Sequence, residues 1–336
     1  MSTPETVSPI RRWKSRLTRV LTAGVFVVIG WTALRLTQRY DLPGMLVSGG
    51  FAMATALAII YRVINPMGWT LVLAGMGYRV GIIDSIRIWL HAESRRWLPG
   101  GIWGYTSRAT AASEVGVGPA AASASMMVEL LVTMAAAGVV GLFGLLIHHR
   151  QWSDKMEQWE QRLAVHGEIT FFAFMTVATM IGMAFVFRHG FMWQVRSVVI
   201  KINGADRHPH PTSIFLAVGY MVAMAILNGL VNSSLVPVVA PDSYVPLPAM
   251  VAATAAAWLV GLLAFFSPGG VLVREAMLAA LLAPWMRYED ALLLAVLSRL
   301  AQLTAEVVGM LLSVAASLRR TPGVDTETSL PAPDLA

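Results

Sequence analysis

Apolar runs of about twenty residues recur along this chain, and they constrain its fold more than any other feature of the sequence. A helix of about that length crosses a bilayer core about 30 Å thick. Because no water reaches that core, a spanning segment must satisfy its own backbone hydrogen bonds, as a helix does. The sequence therefore predicts an all-α polytopic integral membrane bundle with about eight crossings, placed at 17–36, 45–64, 119–147, 169–187, 213–236, 249–266, 271–286 and 290–317.

The composition agrees with a membrane protein. Hydrophobic residues make up 56% of the chain and charged residues 13%, whereas about a quarter of the residues in a soluble domain are charged. The net charge of +6 is then expected at the cytoplasmic rim of the membrane, where it attracts anionic head groups. Since no soluble basic domain is predicted, we expect no nucleic-acid partner.

The sequence gives little support to a metal or a cofactor. The chain has no cysteine, which excludes disulfides, thiolate metal sites and thiol nucleophiles. His148 and His149 lack the neighbouring carboxylates that would complete a zinc site, and so do His208 and His210. We therefore expect neither a metal site nor a cofactor.

Lysines and arginines indicate the orientation of the chain in the membrane. Basic residues crowd the N-terminal segment, the loop 188–212 and the end of the last crossing, whereas the loop 237–248 has none. We therefore place both termini in the cytoplasm. The expected parts are a cytoplasmic basic tail over 1–16, a single transmembrane domain over 17–320 and a disordered tail over 321–336, which is rich in proline, threonine and acids.

The tripeptide Pro-Gly-Gly occurs twice beside apolar segments, as Pro99-Gly100-Gly101 and as Pro268-Gly269-Gly270. Proline removes a backbone donor and clashes with the preceding helical turn, and glycine adds backbone freedom. A helix that breaks inside the bilayer persists only where protein or a water-filled cavity satisfies its peptide groups. We therefore expect re-entrant or broken helices within 67–118, which is too charged for one ordinary span, and within 267–275, with a polar path between them.

The helix predicted before the first Pro-Gly-Gly has two distinct faces. At about 100° per residue, Asp84, His91 and Arg95 share one face and apolar residues occupy the other. This pattern is typical of a helix at the membrane interface. Glu93 interrupts the apolar face, so we expect it to pair with an arginine of another helix, to contribute to transport, or both. Together with Glu93, Arg95 and Arg96 are secondary candidates for the site.

Charged residues also follow both tripeptides and recur in later crossings. In membrane proteins, charged residues inside a crossing are rare, and they usually face the bundle interior or carry function. Arg299, Gln302 and Glu306 lie within about 60° of one another on the last crossing. Such a stripe is either an ion-pair network that fastens the bundle or the wall of a polar cavity. The candidate site residues outside the tripeptides are Arg108, Glu129, Arg274, Glu275, Arg299, Gln302 and Glu306.

The surroundings of both tripeptides resemble the signatures of a known family. Residues 96–104, Arg-Trp-Leu-Pro-Gly-Gly-Ile-Trp-Gly, followed by Arg108, resemble the Arg-Tyr-Leu-Pro-Gly-x-Val-Trp…Arg signature of the lysylphosphatidylglycerol synthase transmembrane-region family, also called flippase-like. Glu129 lies where that family has a glutamate in the next crossing. Residues 267–275 resemble its Pro-Gly-Gly-x-Gly-x-Arg-Glu signature, with Leu272 where a third glycine is common. The resemblance covers roughly residues 15–320.

The resemblance implies a helical bundle with re-entrant broken helices in a bacterial inner membrane, and a part in lipid translocation. Two-part members of the family carry a cytoplasmic aminoacyltransferase domain that makes the lipid. The tail 321–336 is too short for that domain. We therefore expect this chain not to make lysyl-lipid itself, and we expect a separately encoded lipid-synthesising enzyme as a partner besides the membrane lipids.

The leading hypothesis is a lipid translocase that moves or binds an anionic phospholipid or a polyprenyl-phosphate-linked lipid in a polar cavity. Arg108, Arg274 and Arg299 would donate charge-assisted hydrogen bonds to the phosphate. The glutamates of the candidate set would hold these arginines in the empty site or contact a cationic head group, and they are Glu129, Glu275 and Glu306.

Two alternative functions stay open. A membrane-embedded glycosyl- or phospho-transferase would need an acidic motif for a metal or a nucleotide near the cytoplasmic face, which Asp84 and Glu93 do not convincingly form. A non-catalytic subunit of an envelope lipid or glycolipid biosynthesis complex would need no such motif. The sequence leaves the lipid, the energy source and the oligomeric state open.

Overall fold

The computed structural model describes residues 40–95, 103–155, 210–263 and 272–318. These ranges are helical and contain no strand. Numbered within them, the helices are α1 Leu42–Leu46, α2 Gly49–Ile64, α3 Pro66–Gly75, α4 Ile82–Ser94, α5 Trp103–Ala111, α6 Pro119–Ile147, α7 Pro211–Ser233, α8 Val236–Val239, α9 Leu247–Leu263, α10 Val273–Leu282 and α11 Tyr288–Leu318. A short 3₁₀ helix, Ala112–Val115, follows α5.

Four helical stretches in the described part of the chain are long and apolar enough to cross a membrane, and they are Gly49–Gly75, Pro119–Gly144, Thr212–Val239 and Tyr288–Leu312. They correspond to the crossings predicted at 45–64, 119–147, 213–236 and 290–317. A fifth apolar helix, α9, has 17 residues and covers most of the predicted crossing 249–266. The crossings predicted at 17–36 and 169–187 lie outside the described residues. The prediction of a helical, multi-pass membrane protein is confirmed.

The predicted crossing at 271–286 is wrong. Helix α10 has 10 residues, which gives a length of about 15 Å, or about half of the hydrocarbon thickness. It packs against α9 and α11, and its side chains Leu278, Ala279 and Leu282 are buried. Helix α10 is therefore a half-length element inside the bundle.

The first described span is longer than predicted because it continues past a proline. Only Asn65 separates α2 from α3, and its backbone is helical, with φ of −49° and ψ of −37°. Pro66 occupies the first turn of α3, where a missing N–H costs least. The Ile64 carbonyl near the junction accepts a hydrogen bond from the Tyr220 hydroxyl of α7, at 2.7 Å. The start of the segment 67–118 thus belongs to an apolar helix.

Helix α4 packs against α3, α5 and α11. Ile88, Trp89 and Ala92 are buried in these contacts, whereas Ile82 at the start of the helix is 50% exposed. The second half of α4 is therefore part of the bundle, and it brings Glu93 toward α2 and α11.

Two apolar clusters make up the core of the described bundle. One is formed mainly by α2, α9, α10 and α11, and the other by α3, α5, α6 and the first half of α7. Ala58 and Ala305 of the first cluster line the same cavity as Met126 and Met221 of the second. The candidate site lies where the two clusters meet.

The start of α11 is anchored by polar contacts at the rim of the bundle. The Tyr40 hydroxyl donates a hydrogen bond to the Asp290 carboxylate at 2.6 Å. The Arg287 guanidinium donates two more to the same carboxylate, at 2.7 and 3.0 Å. Burial, and then the hydrogen bond to Asp290, raise the pKa of Tyr40 to about 12. These contacts fix the first turn of the helix that carries the polar stripe.

Candidate functional site

A polar cavity of about 290 Å³ lies inside the described bundle, bordered by α2, α4, α5, α6, α7, α9, α10 and α11. A single charge at membrane depth costs about 3 kcal/mol by insertion scales, so charges gathered there need partners, water or a ligand. The charged side chains on its wall are four arginines and three glutamates, namely Arg62, Arg108, Arg274, Arg299, Glu93, Glu129 and Glu306.

Arg108 of α5 is held by a buried ion pair. Its guanidinium donates to the Glu129 carboxylate of α6 at 2.7 Å, and the two side chains are 9% and 12% exposed. The guanidinium carbon lies 4.2 Å from the centre of the Trp69 ring, within the range of a cation–π contact. The Trp69 indole in turn donates to the Ser125 hydroxyl at 2.8 Å. Helices α3, α5 and α6 thus fix the position of this arginine together.

Arg62, near the end of α2, joins two carboxylates from two other helices. It donates to Glu93 of α4 at 3.1 Å and also to Glu306 of α11. Its guanidinium lies 5.5 Å from the centre of the Trp89 ring. The expected pairing of Glu93 with an arginine of another helix is therefore confirmed. Arg62 itself was missed, although an arginine inside a predicted crossing was a visible signal.

Arg274 and Arg299 differ from these two arginines. No carboxylate oxygen in the described part of the chain lies within 4.0 Å of either guanidinium. Arg274 donates to the Gln302 side-chain oxygen at 3.5 Å. The Gln302 amide nitrogen donates to Asn228 of α7 at 3.3 Å and to Ser298 at 3.4 Å. In the described part of the chain, the side chains that form hydrogen bonds with Arg274 and Gln302 are thus neutral amides and a hydroxyl.

The structure describes nine of the predicted site residues and brings seven of them, including Glu93, together on the wall of the cavity. Arg108, Glu129 and Arg274 line the cavity with the stripe of α11, namely Arg299, Gln302 and Glu306. Arg95 is exposed and donates to the Ser107 hydroxyl at 3.3 Å. Seven candidates lie outside the described residues, and they are Arg96, Pro99, Gly100, Gly101, Pro268, Gly269 and Gly270. The broken helices predicted at the two tripeptides therefore stay predictions.

The glutamates were expected to hold Arg108, Arg274 or Arg299, or to contact a cationic head group. Within the described residues, Glu275 and Glu306 form no ion pair with these three arginines. Glu306 forms an ion pair with Arg62, because α2 packs beside α11. The Glu275 carboxylate accepts a hydrogen bond from the backbone N–H of Leu272, at 2.7 Å. It therefore caps the start of α10, where the first backbone donors have no helical partner. Glu129 does hold Arg108, as expected.

Further polar residues of the wall were not among the predicted candidates. Tyr61, Asn228 and Trp258 line the main cavity. They also line a side chamber of about 60 Å³, to which α9 contributes Thr254. Polar residues scattered singly in apolar runs give no signal of where they converge, because convergence depends on the packing of different helices.

The sequence model of the family described as lysylphosphatidylglycerol synthase TM region matches residues 17–309. The chain belongs to this family. No curated protein is a match to the chain. Membership in the family of a lipid-synthase membrane region suggests a membrane protein of lipid metabolism or transport.

All charged residues of the cavity lie within the part of this family member that the match covers. In the described part of the chain, no three His, Asp or Glu side chains group as metal ligands. The groups that the wall offers to a ligand are therefore guanidinium donors, amides and three carboxylates, which suits recognition of a charged head group.

Proposed function

We propose that this chain is a lipid translocase that moves the anionic head group of a phospholipid or a polyprenyl-phosphate-linked lipid through the cavity. The observation that supports this most is convergence. Arg108 and Arg274, which follow the two signature segments, line one cavity together with the α11 stripe. Guanidinium groups are the side chains best suited to bind phosphate by charge-assisted hydrogen bonds.

Such a cavity lowers the barrier to head-group passage. A phosphate that leaves water for hydrocarbon loses its hydration, and the penalty for an isolated ion is many kcal/mol. Arginines on the wall replace part of that hydration. The lipid tails meanwhile stay in the surrounding bilayer. We place the protein in a bacterial cytoplasmic membrane with both termini inside, and we propose a separate lipid-synthesising enzyme as the source of the lipid.

Lipid scrambling in reconstituted vesicles tests this function. The purified protein is inserted into vesicles that contain a head-group-labelled anionic phospholipid, and a membrane-impermeant quencher reports label that reaches the outer leaflet. We expect the wild type to speed transfer above protein-free vesicles. Arg108→Ala and Glu306→Ala are expected to slow it at least about tenfold, because each variant breaks a buried ion pair and leaves the partner charge, at Glu129 or Arg62, uncompensated on the cavity wall.

Arg79→Ala is the matched control, because Arg79 is exposed and does not line the cavity. If folded and inserted Arg108→Ala and Glu306→Ala proteins move lipid as fast as the wild type, the cavity mechanism is wrong. A wild type that moves no lipid but co-purifies with a lipid-synthesising enzyme would favour the alternative of an accessory subunit.

A further inference from the structure

We infer that the phosphate of the ligand binds at one end of the cavity, on Arg274 and Arg299, and that Arg62 and Arg108 do not bind it. The inference rests on the proposed function and assigns the site of the anion within it. The ligand class is a phosphate monoester or diester, supplied either by a lipid head group or by a soluble phosphate.

The first step in the argument is the distribution of counter-ions. Arg62 donates to two carboxylates, and Arg108 forms a 2.7 Å ion pair with Glu129. Both guanidinium charges are therefore already compensated inside the protein. A phosphate that approached either arginine would also meet the adjacent carboxylates and be repelled by them.

The second step is the missing compensation at the other end. Arg274 of α10 and Arg299 of α11 share the wall of the main cavity and that of a small pocket between these helices. Glu275 also borders the small pocket, but its carboxylate accepts from the Leu272 N–H. Two like charges without a carboxylate in contact are costly where the dielectric is low. A bound anion is the group that would remove this cost.

The third step is the supply of donors. A guanidinium has five N–H donors in a planar fork. In the described part of the chain, Arg274 makes one hydrogen bond, to Gln302, and Arg299 makes none that involves a side chain. The Gln302 contact restrains Arg274 without neutralising it. The two arginines thus keep most of their donors for the oxygens of one phosphate, which guanidinium groups bind in a bidentate manner.

The stability of the ligand-free protein is the first test. Without its anion the site holds two positive charges that repel each other, so removing one of them should stabilise the folded protein. Arg274→Gln and Arg299→Gln are expected to unfold a few degrees above the wild type in a neutral detergent after lipid removal. Arg108→Gln is expected to unfold below it, since Glu129 loses its partner. Arg79→Gln should match the wild type. Lower unfolding temperatures for both Arg274→Gln and Arg299→Gln would overturn the inference.

Binding is the second test, measured as stabilisation on adding phosphatidylglycerol, inorganic phosphate or diacylglycerol. Phosphatidylglycerol or phosphate should stabilise the wild type, and the apparent affinity should fall at least tenfold in Arg274→Gln and Arg299→Gln. Lysine variants at the same positions should retain more of the affinity, because they keep the charge. An effect of phosphatidylglycerol alone assigns the site to a lipid, and an equal effect of phosphate assigns it to a soluble source.

Equal stabilisation by diacylglycerol, or wild-type affinity in the glutamine variants, would contradict the inference. The outcome is separable from that of the proposed function. If the variants bind phosphate as the wild type does while the wild type scrambles lipid, the anion site is wrong and the translocase stands. If binding depends on Arg274 and Arg299 but the wild type scrambles no lipid, the translocase is wrong and the site stands.

Discussion

Arg62 shows how a single residue can hold charged groups inside an apolar bundle. Its side chain is 12% exposed and contacts Glu93 of α4 and Glu306 of α11. A buried ion pair is not by itself strong evidence for stability, because desolvation offsets the attraction. Removing one partner is nevertheless costly, since the remaining charge stays buried. Arg62 therefore matters most through the two carboxylates that it compensates.

We predict that Arg62→Gln lowers the free energy of unfolding by about 3–5 kcal/mol, the usual cost of breaking a buried pair. Thermal unfolding of the purified protein in detergent measures this as a lower midpoint temperature. Arg79→Gln is the control at an exposed arginine. Adding Glu306→Gln to Arg62→Gln should recover part of the loss, because one uncompensated carboxylate disappears. An unchanged midpoint in Arg62→Gln would show that this contact does not fasten the bundle.

At the scale of helices, close approach depends on small residues in this bundle. Gly229 of α7 faces α9, and a Cβ atom added there would lie 2.9 Å from the Val251 Cα and 3.1 Å from its Cβ. Gly219, on the same helix, has no atom within 4 Å of an added Cβ. Small residues at such interfaces let membrane helices pack tightly. A side chain at position 229 would therefore collide with α9, whereas a side chain at position 219 would meet no neighbouring atom within 4 Å.

We predict that Gly229→Ala destabilises the protein by about 1–3 kcal/mol, because a backbone neighbour must move to accept the methyl group. Gly219→Ala should be neutral or stabilising by up to about 1 kcal/mol, since alanine favours the helix. Thermal unfolding of the two variants side by side checks the difference. Equal destabilisation by both would mean that the glycines act through chain flexibility and not through the α7–α9 contact.

The start of α10 shows what sequence can and cannot reveal about an element. Leu272 has a φ of 71°, the one positive φ among the described non-glycine residues. Such a backbone is strained for a side chain with a Cβ. The family resemblance marks this position as one where glycine is common, so the positive φ of Leu272 could have been predicted from the sequence. The early end of α10 was also signalled, because Pro284 stands two residues after Leu282 and cannot continue a helix.

At the scale of the whole molecule, the sequence was sufficient for the fold class, the family and several members of the cavity wall. The length of an apolar segment predicts a membrane span, and helical periodicity predicts that Arg299 and Glu306 share a face of α11. Neither property predicts which helix packs against that face. The pairing of Glu306 with Arg62, and the convergence of α5 and α10 on one cavity, depend on packing between distant segments. Those features needed the structure.

The orientation of the molecule gives a further prediction. Since the chain has no cysteine, single cysteines can report the side of the membrane. Ser2→Cys and Ser329→Cys should react with an impermeant maleimide only after cells are permeabilised, because the basic ends are expected inside. Tyr244→Cys, in the loop before α9 where the native side chain is 80% exposed, should react in intact cells. Reaction of Ser329→Cys in intact cells would refute the expected topology.

The described wall of the cavity carries four arginines and three glutamates, and hence one net positive charge. A ligand with one negative charge at Arg274 and Arg299 brings that sum to zero. A unit charge that moves across the full membrane voltage changes in energy by about 2.3 kcal/mol per 100 mV. If the wall moves through the membrane field during the transport that we propose, voltage acts on the empty cavity and hardly on the loaded one. The return of the empty protein, and not the carriage of the lipid, would be the electrically sensitive half of the cycle.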